Sequence, residues 1–329
     1  MKNKKYNYGT AILSAFEYLL KNYREVLVIG QGLWSPWYVG NTMTDLDKKF
    51  GVERIIDTPV SESATTGAAV GASLAGMKPI VVHPRIDFML YAMDALVNQA
   101  ANWSHMFGGQ ANPNVTIRGI INRGGEQGAQ HSQALHAWFV HVPGLRVVMP
   151  STVADARDLL IASVLCNDPV IFIDDRWLYD QEDDLPPIVE IDLLTQRPIV
   201  RLIGNDITIV ASGHSSVLAR EAAKLLEKQK ISAEVVDIRV LSPFHTEEII
   251  KSVKKTKNLL VVDSGWTSGG FSAEIIAKVI EQLPVNCLSN PPVRIALPDA
   301  PAPSSRVLEK AYFTKTEDLI KTVKKILKR

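Results

Sequence analysis

Glu62 is the residue whose position in the sequence most clearly suggests chemistry. It stands between a short apolar strand predicted at 54–57 and a helix of small residues predicted at 63–76. We expect a carboxylate at this junction to be buried, and a buried carboxylate without a basic neighbour tends to keep its proton. Glu62 could then donate a hydrogen bond to a ring nitrogen of a ligand. The alternative is an acidic residue that interacts with the positive end of a helix dipole.

The glycine-rich loop 123–133 contains a second candidate, His131. The loop lies between apolar strands predicted at 115–121 and 145–149, and active-site loops of parallel sheets occupy such positions. Its glycines allow backbone amides to approach a ligand closely, and His131 could transfer a proton or hold an anionic group. A surface loop with a hydrogen-bonded histidine is the alternative. His136, farther along, is more typical of a packing or capping residue.

Two further residues follow the apolar strand predicted at 79–83. Phe88 begins a predicted helix, where it could stack on a planar ring or be an ordinary core aromatic. Arg85 could clamp a carboxylate or phosphate of a ligand, or pair with Asp87. The residues themselves leave both alternatives open.

Composition indicates a soluble globular protein with two domains. The 329 residues are 46% hydrophobic, and 36 basic residues nearly balance 35 acidic ones. The net charge of +1 gives no sign of a nucleic-acid-binding surface. Cys166 and Cys287 are far apart and follow no metal-ligand pattern, so we expect a reducing, cytoplasmic environment. A signal-type N-terminus and an apolar run of membrane-spanning length are both missing, so we expect no membrane association.

Several common catalytic motifs are absent from the sequence. It contains no Gly-x-x-x-x-Gly-Lys-Ser/Thr phosphate loop, no dinucleotide-binding Gly-x-Gly-x-x-Gly after the first strand and no Gly-x-Ser-x-Gly nucleophile elbow. These absences argue against P-loop nucleotide hydrolysis, a nicotinamide-binding domain and a serine hydrolase.

Short Val- and Ile-rich strands alternate with helices, which predicts an α/β fold of two parallel-sheet, three-layer domains. Strands are predicted at 26–30, 54–57, 79–83, 115–121, 145–149, 169–174, 206–212, 233–239, 258–263 and 292–296. Helices are predicted at 8–23, 63–76, 88–105, 152–165, 215–230, 246–253, 270–282 and 315–328. An acidic, proline-containing stretch interrupts the alternation. We therefore expect a first domain at 1–185, a linker at 186–199 and a second domain at 200–329.

Within the helix predicted at 63–76, the part 67–76 has small residues at three- and four-residue spacing. This spacing predicts close packing against another helix, either within the chain or in another subunit.

Several separated motifs occur in an order that resembles one family. They are 55–62 (IIDTPVSE), 71–80 (GASLAGMKPI), 130–133 (QHSQ), 141–150 (HVPGLRVVMP), 236–243 (VDIRVLSP) and 262–266 (VDSGW). Over about residues 8–328 the chain resembles the beta subunits of thiamine diphosphate-dependent 2-oxoacid dehydrogenases of the pyruvate, branched-chain and acetoin type. This family belongs to the transketolase superfamily. The resemblance implies a pyrimidine-binding domain followed by a transketolase C-terminal-type domain.

The resemblance also implies roles for particular residues. Glu62 matches the glutamate that hydrogen-bonds the aminopyrimidine ring of thiamine diphosphate, and Phe88 matches an aromatic that packs on that ring. His131 matches an active-site histidine near the substrate and the cofactor's diphosphate. In some members a loop binds potassium through backbone carbonyls. The residues that correspond to it here are Ser163, Val164, Cys166 and Asp168.

A partner chain is implied as well. The family's Gly-Asp-Gly…Asn signature for diphosphate and magnesium is absent from this sequence. The resemblance therefore implies an alpha subunit that holds those groups, in an α2β2 heterotetramer that shares the cofactor at each interface. The implied reaction decarboxylates a small 2-oxoacid and transfers the acyl group, with a lipoyl acyltransferase as a further partner.

The sequence departs from the family pattern near the expected substrate. Gln31 stands where members commonly carry a glutamate, and His83-Pro-Arg85 replaces a more apolar or aromatic stretch. The loop 125–131 has a spacing similar to a Gly-Glu-Asp-Gly-Pro-Thr-His motif of transketolase. These departures put pyruvate and a lipoyl acceptor in doubt. We expect Arg85, Gln31 and His131 to contact the substrate, with Arg85 recognising an additional anionic or polar group on a specialised 2-oxoacid.

Two other functions compete with a 2-oxoacid dehydrogenase subunit. One is the C-terminal half of a split transketolase, or of another ketol- or acyl-transferring thiamine enzyme. The other is a structural beta subunit without catalytic residues, although Glu62, Phe88 and His131 argue against it.

Overall fold

The computed structural model describes residues 5–329. Contacts divide the chain into two units, one formed by residues up to 122 together with 138–196 and the other by 123–137 together with 197–329. The glycine-rich loop thus belongs to the second unit although it interrupts the first one in sequence. The predicted boundaries at 1–185, 186–199 and 200–329 place this loop in the first domain, and they stay a prediction.

The first unit is built on a parallel sheet. In spatial order its strands are Arg146–Val148, Val170–Asp175, Thr116–Ile121, Lys78–His83, Val26–Gln31 and Ile55–Thr58. Every residue of the two strands Thr116–Ile121 and Val170–Asp175 is buried. Such continuous burial means that both faces of the sheet are covered, as in α/β proteins. A short antiparallel pair, Tyr6–Asn7 with Glu182–Asp183, belongs to the same unit.

Helices and shorter helical turns cover the sheet of this unit. They are Tyr8–Asn22, Leu46–Phe50, Glu62–Leu74, Trp103–Met106 and Val153–Leu165, with 3₁₀ turns at Phe88–Ala92, Arg176–Leu178 and Leu193–Thr195 and a π-helical segment at Asp94–Ala101. Thr152 caps the helix Val153–Leu165 by accepting a hydrogen bond from the backbone N–H of Asp155 at 3.2 Å.

The prediction of one continuous helix at 88–105 is wrong. The structure has a 3₁₀ turn, a π-helical segment and a short α-helix in succession. Each of these has its own residue spacing, so the continuous α-helical periodicity assumed from the sequence does not apply.

The second unit contains a five-stranded sheet. In spatial order its strands are Val293–Leu297, Leu259–Trp266, Ile207–Ala211, Ala233–Asp237 and Ile199–Leu202, of which the last is antiparallel to its neighbour. The helices of this unit are Gly213–Glu227, Glu247–Thr256, Phe271–Gln282, Arg306–Tyr312 and Thr316–Leu327, with a 3₁₀ turn at Ala129–His131. The structure adds a strand Val240–Ser242 and a helix His136–Val140.

Leu226, Leu319 and Val323 from two of these helices pack with the strand residues Ile209 and Val235 in one apolar cluster. Burial of this cluster is the main force that holds the two helices on the sheet. The predicted α/β fold class is confirmed. None of the helices in residues 5–329 combines the length and the apolar character needed to span a bilayer.

Candidate active site

Glu62 is the first residue of the helix Glu62–Leu74, which follows directly on the strand Ile55–Thr58. Its side chain faces a cleft at the carboxyl ends of the strands. The cleft is lined by Gly30, Gln31, Thr58, Pro59, Ser61, Glu62, Thr65, Val82, His83 and Pro84. The expectation of a buried carboxylate was wrong, because the first turn of the helix lies at an open cleft and leaves Glu62 half-buried. Within residues 5–329 this carboxylate has no hydrogen-bond or ion-pair partner.

Strand register brings the lining residues together. Gly30 pairs with Asp57 on one side and with Val82 on the other, so the strands that carry them end at the same edge. A Cβ atom on Gly30 would lie 2.4 Å from the carbonyl oxygen of Val82, and backbone atoms there cannot move aside. Glycine at position 30 therefore permits the close strand contact that places Gln31 beside His83.

Asp57 and Gln31 order the chain that leaves the strand Val26–Gln31. Asp57 accepts a hydrogen bond from the backbone N–H of Gly32 at 2.7 Å, and the side-chain amide of Gln31 donates to the hydroxyl of Tyr38 at 2.7 Å. The amide at position 31 thus acts as a hydrogen-bond donor, which an ionised glutamate at that position could not do.

His83 is a lining residue that sequence reasoning did not assign to the site. It is 3% exposed, and its Nε2 atom lies 3.2 Å from the hydroxyl of Thr66 in the Glu62–Leu74 helix. Burial lowers the pKa of His83 to about 4, so the ring is neutral at pH 7. A polar residue at the carboxyl end of an apolar strand was the signal that could have identified it.

Phe88 and Arg85 lie outside the lining of this cleft. Phe88 is half-buried and begins the 3₁₀ turn Phe88–Ala92, which packs against the helix Glu62–Leu74. Arg85 is half-buried, and its Nη1 atom is buried without a hydrogen-bond partner among the described residues. Of the residues that the sequence predicts for the site, Glu62 and Gln31 line this cleft, whereas Phe88 and Arg85 do not.

His131 belongs to the second unit, where it ends the 3₁₀ turn Ala129–His131 and is half-buried. Its loop is tied to the helix Arg306–Tyr312. The backbone N–H of Glu126 donates to the buried carboxylate of Glu309 at 3.1 Å, and the Glu126 carboxylate pairs with Arg306 at 3.1 Å. These contacts explain why the loop groups with the second unit.

The second unit also holds a buried imidazole–carboxylate pair. His136 Nε2 lies 2.8 Å from a carboxylate oxygen of Asp263, and both residues are at most 5% exposed. Burial alone would raise the pKa of Asp263. The charge and hydrogen bond of His136, with backbone N–H groups of Gly265 and Ser272, outweigh burial and lower it to about 2. The expectation that His136 packs is confirmed, but its partner, 127 residues away, was not foreseen.

The residues of the predicted potassium loop lie at the end of the helix Val153–Leu165. The Cys166 N–H bonds back to the carbonyl of Ala162 at 3.0 Å, and the Asp168 carboxylate accepts a hydrogen bond from Arg146 at 2.6 Å. The last carbonyls of a helix lack intrahelical partners, and such oxygens are the ligands that potassium takes. No group of three or more His, Cys, Asp and Glu side chains within 5–329 could hold a metal ion.

Two family descriptions match the chain. "Transketolase, pyrimidine binding domain" matches residues 4–181, and "Transketolase, C-terminal domain" matches residues 197–319. The chain is 39% identical over 285 residues to the mitochondrial pyruvate dehydrogenase E1 component subunit beta of Saccharomyces cerevisiae, covering 85% of this chain and 77% of that protein.

The chain belongs to the 2-oxoacid dehydrogenase beta-subunit family.

Other relatives extend the comparison. The beta subunit of acetoin:2,6-dichlorophenolindophenol oxidoreductase of Cupriavidus necator is 40% identical over 276 residues, covering 84% of this chain and 81% of that protein. The pyruvate dehydrogenase E1 component subunit beta of Rhizobium meliloti is 34% identical over 302 residues, and the match covers 92% of this chain but 65% of that longer protein. The predicted resemblance is confirmed, and the family implies an alpha subunit as partner.

A solved structure supports the fold of this beta-subunit family member. The chain of a structure titled "Split gene transketolase, inactive beta4 tetramer" aligns with a TM-score of 0.78 and 22% identity, covering 98% of this chain and 97% of that one. At this identity the likeness concerns the fold alone.

The cleft residues of this beta subunit fit one end of thiamine diphosphate. A carboxylate without a partner among residues 5–329 lies beside a donor amide, Gln31, and a neutral imidazole, His83. A polar nitrogen heterocycle that both donates and accepts hydrogen bonds would satisfy these groups.

Proposed function

We propose that the chain is the beta subunit of a thiamine diphosphate enzyme that decarboxylates a 2-oxoacid and transfers the acyl group. The observation that carries this proposal is the Glu62 carboxylate, which begins a helix at the strand-end cleft and has no partner within residues 5–329. Membership of the beta-subunit family supports the same reaction class.

Glu62 and Phe88 would hold the pyrimidine end of the cofactor. When bound, thiamine diphosphate supplies the nucleophile and the electron sink for cleavage of the bond between a carbonyl and a carboxylate. Glu62 would hold a proton in a hydrogen bond to the aminopyrimidine ring, and Phe88 would pack on that ring and exclude water. His131 would contact the substrate and the diphosphate.

An alpha subunit would complete the site. It would hold the diphosphate and magnesium, because the sequence of this chain has no Gly-Asp-Gly…Asn signature. We propose an α2β2 heterotetramer, and the helix Glu62–Leu74 supports close subunit packing. A Cβ atom added to Gly67 or Gly71 would meet nothing within 4 Å. The small-residue face is thus open in this chain, and the alternative of tight packing within the chain at these two positions was wrong.

Potassium and the acyl acceptor are further parts of the proposal. The carbonyl groups of Ser163, Val164, Cys166 and Asp168 would bind a potassium ion near the end of their helix. A lipoyl acyltransferase would accept the acyl group, and the enzyme would act in the cytoplasm.

Reconstitution tests the proposal. The chain is co-expressed with an alpha-type subunit of the same family, supplied with thiamine diphosphate and magnesium, and assayed for carbon dioxide release from a panel of 2-oxoacids. Carbon dioxide release that requires both chains supports the proposed function. Two-carbon transfer between sugar phosphates without carbon dioxide release would instead identify a split transketolase. Full activity of the Glu62→Ala complex would identify a structural beta subunit.

A further inference from the structure

Two arginines stand just beyond strand ends of the first unit. Arg85 follows the strand Lys78–His83, and Arg176 follows the strand Val170–Asp175 directly. Both strands pair with the same central strand, Thr116–Ile121, so their carboxyl ends lie at one edge of the sheet. Ligands of parallel α/β sheets bind outside this edge.

Each guanidinium has an unsatisfied, buried nitrogen. Nη1 of Arg85 and Nε of Arg176 are inaccessible to solvent and have no hydrogen-bond partner among residues 5–329. A buried donor without a partner costs free energy, more so when it carries charge. Arg118 of the same unit avoids this cost by pairing with Asp174 and Thr42, whereas Arg157 also has one buried nitrogen, Nη2, without a partner among the described residues.

The two positive charges are close enough to affect each other. Burial lowers the pKa of Arg85, and the charge of Arg176 lowers it further. Asp87 acts in the opposite direction, but it leaves Nη1 without a hydrogen bond. The two guanidinium charges therefore repel each other, and an anion bound between them would relieve this repulsion.

Arg176 is linked to the Glu62 cleft through one aromatic residue, Tyr38. Arg176 donates from Nη2 to the backbone carbonyl of Tyr38 at 2.8 Å, and its guanidinium lies 5.9 Å from the ring centroid of Tyr179. The hydroxyl of Tyr38 accepts the hydrogen bond from Gln31, which lines the cleft. These contacts place Arg176 at the margin of the cleft, and Arg85 directly follows Pro84, which lines the cleft.

We infer that Arg85 and Arg176 form a binding subsite for an oxyanion, a carboxylate or a phosphate, on the part of the substrate remote from its 2-oxoacid group. Guanidinium groups bind planar carboxylates and phosphates through paired hydrogen bonds, and Arg85 and Arg176 are only partly buried, so part of each side chain remains accessible to a ligand. The inference rests on the proposed function for the identity of the ligand as a substrate. It extends the role of Arg85 expected from the sequence by supplying the second arginine, Arg176.

Direct binding to the full chain tests the subsite. Calorimetric titrations at low ionic strength use inorganic phosphate, glutarate and the neutral analogue glutaramide. The variants are Arg85→Gln, Arg176→Gln and, as a matched control, the exposed Arg24→Gln from the same unit. Arg85→Lys and Arg176→Lys keep the positive charge but lose the planar pair of N–H donors of the guanidinium group. Circular dichroism melting establishes that each variant is folded.

We expect at least one of the two anions to bind and glutaramide not to bind. Each Gln variant should bind the anion about tenfold more weakly or worse than wild type, whereas Arg24→Gln should bind it with wild-type affinity. The Lys variants should fall between wild type and the Gln variants. If the Gln variants lose more affinity for phosphate than for glutarate, the substrate carries a phosphate group. If they lose more affinity for glutarate, the substrate carries a second carboxylate.

Binding that is absent, or unchanged in both Gln variants, would overturn the inference, because all residues of the subsite lie in this chain. Failure of the proposed function can be distinguished from failure of the subsite. If the reconstituted complex releases no carbon dioxide but anion binding still depends on Arg85 and Arg176, the subsite stands and the reaction is different.

Discussion

The imidazole of His83 and the hydroxyl of Thr66 lie 3.2 Å apart, and this contact joins a strand end to the first turns of the helix that begins at Glu62. Thr66 is four residues after Glu62, so the two side chains neighbour each other on the helix surface. His83 therefore positions the helix start that presents the carboxylate to the cleft.

His83 should make the stability of the chain depend on pH. Burial lowers its pKa from 6.5 to about 4, so between these values the unfolded chain binds a proton that the folded chain does not. The free energy of unfolding should therefore fall as the pH drops from about 6.5 to 4, by up to about 3 kcal/mol. Urea unfolding at several pH values measures this slope.

The contribution of His83 is isolated by a variant and a control. His83→Gln should reduce the slope in this pH range, whereas the exposed His141→Gln should keep it. If wild type and His83→Gln lose stability in parallel between pH 6.5 and 4, the buried neutral imidazole is not the cause.

Glu62→Gln should remove activity without harming the fold. The carboxylate has no partner among residues 5–329, so its replacement by an amide breaks no intrachain bond. Turnover of the reconstituted complex should drop about 100-fold or more, the usual effect of losing a proton-holding group. Steady-state carbon dioxide release and thermal melting are measured together, with Glu53→Gln as an exposed acidic control in the same unit. Retention of more than half of the wild-type turnover would remove Glu62 from the mechanism.

A buried ion pair stabilises the first unit and offers a test of stability alone. Arg118 is fully buried and forms two hydrogen bonds with Asp174, at 3.2 and 2.8 Å, and another with the hydroxyl of Thr42 at 2.8 Å. Removing one partner leaves an uncompensated buried charge. Arg118→Met should therefore lower the free energy of unfolding by about 3–5 kcal/mol in urea titrations.

The double variant Arg118→Met/Asp174→Asn removes both charges. It should be less destabilised than the sum of the single variants, because no charge is left unpaired. If the losses in free energy of unfolding of the two single variants simply add up to that of the double variant, the two residues act independently.

Patterns local in sequence could be predicted well. Alternating apolar strands and helices predicted the α/β class, and the cap at Thr152 is of the same local kind because its partner Asp155 is three residues away. The position of Glu62 at a helix start follows from the same local signals, although the open cleft beside it does not.

Contacts between distant segments could not be predicted. His136 meets Asp263 and Glu126 meets Glu309 only because the fold brings separate segments together. Composition and periodicity carry no information about such pairs. Arg176 was not singled out for the same reason, since only the fold brings its charge close to Arg85.

Two glycines should respond in opposite ways to the same substitution. A Cβ atom on Gly30 would lie 2.4 Å from the Val82 carbonyl oxygen, so Gly30→Ala should force the strands apart and cost about 1–3 kcal/mol or more. Gly67 lies inside the helix Glu62–Leu74 with nothing within 4 Å of an added Cβ. Gly67→Ala should therefore stabilise the isolated chain by about 0.5–1 kcal/mol.

The Gly67 variant also tests subunit packing. If the open small-residue face contacts another subunit closely, Gly67→Ala should weaken assembly with the alpha subunit even though it stabilises the chain itself. Sedimentation velocity of the co-expressed chains measures assembly, and urea unfolding of the isolated chain measures stability. Ala68→Gly, an adjacent exposed position in the same helix, is the control that lowers helix stability without adding bulk. Unimpaired assembly of Gly67→Ala would mean that this face is not the tightly packed contact.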